Sequence, residues 1–236
     1  MEENQEKIKN WEIIDEGYHR LDKRKIRILK NLASTGNLSF TVHAPFSSIN
    51  LAEANQTLRN KFLLFMKKSL ENAYSLEAKV WVIHPGRLTP FTYFFPETAW
   101  SSQISSFKRF VKEAEDLGVK VVVENMVGEY SLFKTIKDGL RILEETENSI
   151  GICLDVGHAY LTGALEKFLV EIPQIQHLHV HDNKGLKDDH LPAFKGNINW
   201  KKVFKQLKKI SYNGWIVAEN YTLNHALKTL KKLNLI

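Results

Sequence analysis

The sequence predicts an α/β chain, a (β/α) barrel of the TIM type with parallel strands, on three observations. Short β-branched runs alternate with amphipathic helical stretches from end to end, and strand-then-helix repetition means parallel strands joined by crossovers. The strands are almost continuously apolar, as expected of a sheet that helices cover. Their polar residues gather at the C-terminal ends, the face on which barrel sites are built. Seven strands are recognisable where a complete barrel has eight, so the first strand–helix unit is read as missing.

The opening "MEENQEKIKN" is polar and looks like the end of a helix; it is too polar for a secretory leader. Strands then follow at 11–15 (WEIID), 38–45 (LSFTVHAP), 79–85 (KVWVIHP), 120–125 (KVVVEN), 150–158 (IGICLDVGH), 175–182 (IQHLHVHD) and 214–220 (GWIVAEN). Between them lie helices such as 57–78, in which apolar residues recur at spacings of three and four. No linker, low-complexity tract or short repeat interrupts the pattern, so a single domain over 1–236 is expected. A seven-stranded barrel is open or completed by another chain, which makes a homo-oligomer through the open edge an expected partner.

Of the 236 residues, 43% are hydrophobic and 25% charged, the balance of an ordinary soluble globular protein. No apolar run approaches the roughly 20 residues that span a bilayer, so no membrane partner and a cytoplasmic location are expected. The one cysteine, Cys153, cannot pair within the chain, in keeping with a reducing compartment. The net charge of +6 is densest in "KKVFKQLKK" and "LKTLKKLNLI". That suits a phosphorylated partner, but lysines at helical spacing also form an ordinary solvated face.

The chemistry begins at "IQHLHVHDN", where His177, His179 and His181 occupy alternate positions of one strand and so share a face. His43, His84, Glu124, Asp155, His179 and Glu219 fall at the C-terminal ends of six successive strands. Burying that many ionisable groups without partners costs several kcal/mol per charge, so they require metal or one another. Carboxylates and imidazoles without thiolates suit zinc, or else manganese, iron or cobalt, in an open catalytic site. Glu124 and Glu219 could bridge two ions or act as acid and base on opposite sides of a substrate. Asp155 with His158, and Asp188 with His190, are short-range pairs beside this cluster that could supply a third ion.

These residues resemble the xylose isomerase-like barrel superfamily, also called AP endonuclease family 2, which contains endonuclease IV and many sugar or sugar-phosphate isomerases and epimerases. The resemblance runs from "WEIIDEG" to "GWIVAEN". In the endonuclease IV branch it implies nine side chains around three zinc ions: His43, His84, Glu124, Asp155, His158, His179, Asp188, His190 and Glu219. It selects His179 as the ligand of its strand, leaving His177 one layer deeper and His181 nearer the mouth. It also places Gly196 and Asn197 at the family's spacing. The epimerase branch needs only Glu124, Asp155, His179 and Glu219 for its metal, with His158 holding substrate. It commonly carries an arginine near "KDDHLPAF", where this chain has none. Two departures from endonuclease IV stand out: Lys195 replaces a glutamate, and the chain is shorter, implying smaller DNA-recognition loops. Phe46 lies where that enzyme sets an aromatic against DNA.

The expected activity is therefore metal-assisted phosphoester hydrolysis with two or three divalent ions per chain, on damaged nucleic acid or a phosphorylated sugar. The alternatives are a sugar or sugar-phosphate isomerase or epimerase using one metal with Glu124 and Glu219, and a metal-binding module without catalysis.

Overall fold

The computed structural model describes residues 8–171 and 174–235. Among them, seven parallel strands form one sheet in sequence order: β1 (Asn10–Ile14), β2 (Ser39–His43), β3 (Val80–Ile83), β4 (Lys120–Glu124), β5 (Gly151–Asp155), β6 (Ile175–Val180) and β7 (Trp215–Ala218). The sheet curls into a nearly closed barrel, with helices on its outer surface: α1 (Lys23–Gly36), α2 (Gln56–Ser75), α3 (Pro90–Phe94), α4 (Pro96–Glu115), α5 (Ile136–Glu145), α6 (Val156–Leu161), α7 (Leu165–Glu171), α8 (Trp200–Lys209) and α9 (Leu223–Lys232). The polar segment read as a helix end falls largely on residues 1–7, outside the described residues. No described helix is long and apolar enough to cross a membrane.

Alternation along each strand separates two environments. Outward residues such as Phe40, Trp81, Ile83, Val121, Ile152, Leu154, Leu178 and Val180 join the main core beneath the helices. There Trp81 meets Phe110 edge to face at 5.2 Å, and its indole N–H donates to Ser69 Oγ at 3.2 Å. Inward residues form a small separate cluster of Val80, Val82, Val122 and Cys153. Register then stacks the functional layers: Cys153 lies beside His177, Asp155 beside His179, and Glu124 beside Cys153.

Helix starts follow their capping residues. The side chains of Asp22, Asn55, Thr135, Asp155, Asn199 and Thr222 each accept a backbone N–H of the first turn. One of these corrects the expected strand 150–158. Asp155 ends the strand and caps α6, so Gly157 and His158 are helical; the apolar run "ICLDV" carries no signal for that switch. Helix α8 buries Trp200, Val203 and Leu207 and leaves Lys201, Lys202, Lys205, Lys208 and Lys209 exposed, the arrangement of a solvated face.

Among the described residues no ladder joins β7 to β1. A cleft of about 730 Å³ lies there, bounded by Asn10–Glu12, Trp215–Ala218 and the inner side of α9 at Leu223, Ala226 and Leu230.

Candidate metal centre

The structure brings the nine expected residues together at the C-terminal face of the barrel, in three clusters, the first two of which share Glu124. In the first, Glu124 Oε2 faces His43 Nε2 at 3.2 Å and His84 Nε2 at 3.3 Å. In the second, Glu124, Asp155, His179 and Glu219 converge, with His179 Nδ1 at 3.4 Å from Glu124 Oε1 and 3.5 Å from Glu219 Oε2. In the third, Asp188 Oδ2 is 3.1 Å from both His158 Nε2 and His190 Nε2. His181 belongs to this third group as well.

Backbone contacts aim the rings. His43 Nδ1 faces the carbonyl of Ala44 at 2.9 Å, His158 Nδ1 that of Asn125 at 2.9 Å and His190 Nδ1 that of Glu219 at 2.8 Å. An Nδ1–H donated to a carbonyl fixes the tautomer and turns an unprotonated Nε2 inward, the usual support of a metal-binding imidazole. Asn125 clamps Asp155 by accepting its N–H at 2.8 Å and donating to its carbonyl at 3.1 Å.

The loop carrying Asp188 and His190 is tied down at both ends. Asp182 accepts from the N–H groups of Asn183 and Ile198 and from the Trp200 indole, at 2.9, 3.2 and 2.9 Å, and pairs through its backbone with Leu191. Gly196 passes so close that an added Cβ would meet Asn183 O at 2.2 Å. Within this frame His190 takes a left-handed backbone, φ 45°, a strained conformation for a non-glycine residue. The Asn220 amide holds its carbonyl at 2.9 Å.

Glu12 departs from the expectation that polar residues occur only at strand ends. It sits in the middle of β1 and points inward, with its side chain only 6% exposed. Its Oε2 accepts from Thr41 Oγ1 at 2.8 Å and lies 2.8 Å from His177 Nε2. Its Oε1 is 2.8 Å from His179 Nε2, a close charge contact off the line of a straight hydrogen bond. The available signal was a lone carboxylate at inward parity in "WEIID", where an apolar residue would otherwise pack.

Electrostatics follow from this crowding. Burial would raise the Glu124 carboxyl, but His179 and hydrogen bonds from His158 and His43 hold it well below the usual carboxylate range. Glu12 is lowered in the same way by His179 and His177, against its burial. Burial opposes protonation of His158, yet Asp155, Asp188 and Glu124 raise it well above its usual value. His190 rises to about 9 against its burial, through Asp188 and the Glu219 carbonyl. Asp155 falls to about 2 despite burial, chiefly through His158 and His181.

The donor set fits divalent metal. Buried atoms without a hydrogen-bond partner concentrate here: Asp155 Oδ2, both nitrogens of His179 and of His181, Asp188 Oδ1 and Glu219 Oε2. Neighbouring donors around a tetrahedral zinc stand about 3.3 Å apart, given bonds of roughly 2.0–2.1 Å. The separations above cluster around that value. Phe46 borders the first cluster, stacked on His84 at 4.7 Å and edge-on to His43 at 5.1 Å. Lys195 is exposed.

Comparison with known proteins agrees with this architecture. A family model described as xylose isomerase-like TIM barrel matches residues 8–233. An uncharacterized protein of Methanocaldococcus jannaschii is 32% identical over 225 residues, 93% of this chain and 77% of its own length. A probable endonuclease 4 of Thermoplasma volcanium is 24% identical over 177 residues, 71% of this chain and 60% of its own. A crystal structure described as a D-tagatose 3-epimerase-like protein is 33% identical, with a TM-score of 0.92 over 99% of this chain and 90% of that one.

Proposed function

The chain belongs to the xylose isomerase-like TIM barrel family, and from that premise we propose that it is a divalent-metal-dependent phosphoester hydrolase of the endonuclease IV type, built as one barrel unit. The observation that carries this reading is the number of donor clusters. A one-metal isomerase needs the group around Glu124, Asp155, His179 and Glu219; here His43 with His84 forms a further group on Glu124, and Asp188 with His158 and His190 forms a third beside it.

The ions would be held by His43, His84 and Glu124; by Glu124, Asp155, His179 and Glu219; and by His158, Asp188 and His190. Zinc suits this donor chemistry, with manganese, iron and cobalt as alternatives. Bound there, they supply Lewis-acid charge to a phosphoester and lower the pKa of water. The residues themselves do three things. Glu124 spans two clusters and keeps them in one electrostatic unit. Glu219, whose side chain is 29% exposed, reaches the mouth and would set the second cluster beside the substrate. Asn125 and the backbone carbonyls hold the ligands in place, so that little reorganisation accompanies reaction.

A substrate with a damaged nucleic-acid sugar suits the surface of the mouth. Phe91, Tyr93, Phe94 and Phe95 on the segment after β3, and Tyr130 after β4, are exposed and available to stack on bases. The second reading is a sugar or sugar-phosphate epimerase, with Glu124 and Glu219 moving a proton on opposite faces of a carbonyl compound. The 33% identity to the epimerase-like structure favours it.

Purified protein with measured metal content, assayed in parallel on abasic-site duplex DNA, a simple phosphodiester and a panel of ketoses and their phosphates, separates the two. Strand scission or phosphate-ester cleavage, lowered at least about 100-fold in Glu124→Gln, is the expected result. Epimerisation without hydrolysis would replace this reading with the second.

A further inference from the structure

We infer that His181 is a fourth protein donor to the cluster of His158, Asp188 and His190, and that this cluster is a divalent-cation site closed by the protein. The inference rests on the proposal that the clusters hold metal, but not on which reaction they serve.

Four observations point to it. His181 is fully buried, yet neither ring nitrogen has a hydrogen-bond partner. Its Nε2 lies 3.6 Å from Asp188 Oδ1, near the separation expected of two donors on one tetrahedral ion, about 3.3 Å. Its ring stacks on His190 at 4.0 Å, with 19° between the planes, so the two imidazoles present parallel edges to the same space. Finally, the fold makes room for it: a Cβ at Gly157, in the first turn of α6, would lie 2.0 Å from His181 Cε1. The helix that carries His158 is thus stripped of a side chain at the point where His181 must enter.

The competing role is that of a partner to Asp155, whose Oδ1 is 3.0 Å from His181 Nε2. That contact does not satisfy the ring by direction, and Asp155 Oδ1 already accepts the backbone N–H of His158 at 2.7 Å. A direct ligand and an outer partner differ in consequence. Zinc held by three protein ligands keeps a position for substrate or water, whereas four protein ligands close a tetrahedral site. An ion held by His158, His181, Asp188 and His190 would supply fixed positive charge and brace the loop, leaving the open position to the three-donor cluster of His43, His84 and Glu124.

The test uses the full chain, loaded with zinc or with cobalt, dialysed against graded chelator and analysed for metal per chain. His181→Ala, His181→Asn and His190→Ala are compared with wild type, and circular dichroism confirms folding. The asparagine variant keeps the volume should the alanine variant fail to fold. The expected result is that the His181 variants lose the same single ion as His190→Ala, with affinity falling by more than the roughly 10–100-fold typical of a lost outer partner. The absorption of four-coordinate cobalt should fall in step. A loss of affinity for that ion of about 100-fold or less, the range of an outer partner, overturns the inference and leaves the metal proposal standing. Wild-type protein that binds no metal, or whose metal content His190→Ala leaves unchanged, overturns the inference together with the metal proposal.

Discussion

Glu12 holds two imidazoles against one carboxylate inside the barrel, at 2.8 Å each, so its removal leaves buried groups without their counter-charge. Breaking such a pair costs roughly 3–5 kcal/mol, and Glu12→Ala should lower the urea midpoint accordingly. Because Glu12 faces the nitrogen of His179 opposite the one aimed at Glu124 and Glu219, the same variant should weaken zinc at that cluster by roughly 10–100-fold, measured by competition with a chromophoric chelator. His190 makes a pH prediction. Its value of about 9 in metal-free protein exceeds the unfolded value of about 6.5. Its stabilising contribution is therefore complete below about pH 6.5 and is lost as pH rises through about 9. Chelator-stripped protein should show a thermal midpoint that declines over this window. Zinc-loaded protein should show no such decline there, and should lose metal as pH falls, because protons compete for the same nitrogens.

At the scale of elements, the loop between β6 and α8 is where stability and site geometry meet. Asp182 accepts three hydrogen bonds that anchor both ends of that loop. Each donor left buried and unpaired costs about 1–3 kcal/mol. Asp182→Ala should therefore raise amide exchange over residues 184–197 and release the ion of the third cluster, while the first cluster keeps its own. Gly196→Ala should act in the same direction, because the added Cβ meets backbone rather than a flexible side-chain tip. Helix α6 couples to this loop through His158, and the asparagine clamp on Asp155 couples it to β4.

For the whole molecule, the candidate clusters draw their donors from β2 through β7 and the loops that follow them, so metal held there would bind a surface that exists only when the barrel is folded. Binding to the native state alone raises stability by about 4 kcal/mol at a thousand-fold excess over the dissociation constant. Chelation should thus lower the thermal midpoint of wild type substantially, and less in a variant with Glu124→Gln, which touches two clusters at once. The cleft between β7 and β1 is part of the same architecture: it sets Glu12 and Trp215 beside strand edges that no ladder joins among the described residues.

Much of this was legible in the chain. Alternating runs of β-branched and amphipathic sequence determine parallel strands joined by helices, because the two periods, 2 and 3.6, bury different faces. Six ionisable residues at corresponding strand ends determine one convergent polar face, since each strand runs the same way and starts from the same layer. Other features required the tertiary structure. Glu12 and His177 lie far apart in sequence, and only barrel closure puts one carboxylate on two rings. His181 reads as one of three alternating histidines until the helix holding Gly157 packs over it. The end of β5 at Asp155 was decided by a side chain capping the next helix, which an apolar pattern does not encode. Local period specifies which face a residue takes; which residues from distant strands share that face, and at what distance, is fixed by register and curvature of the sheet as a whole.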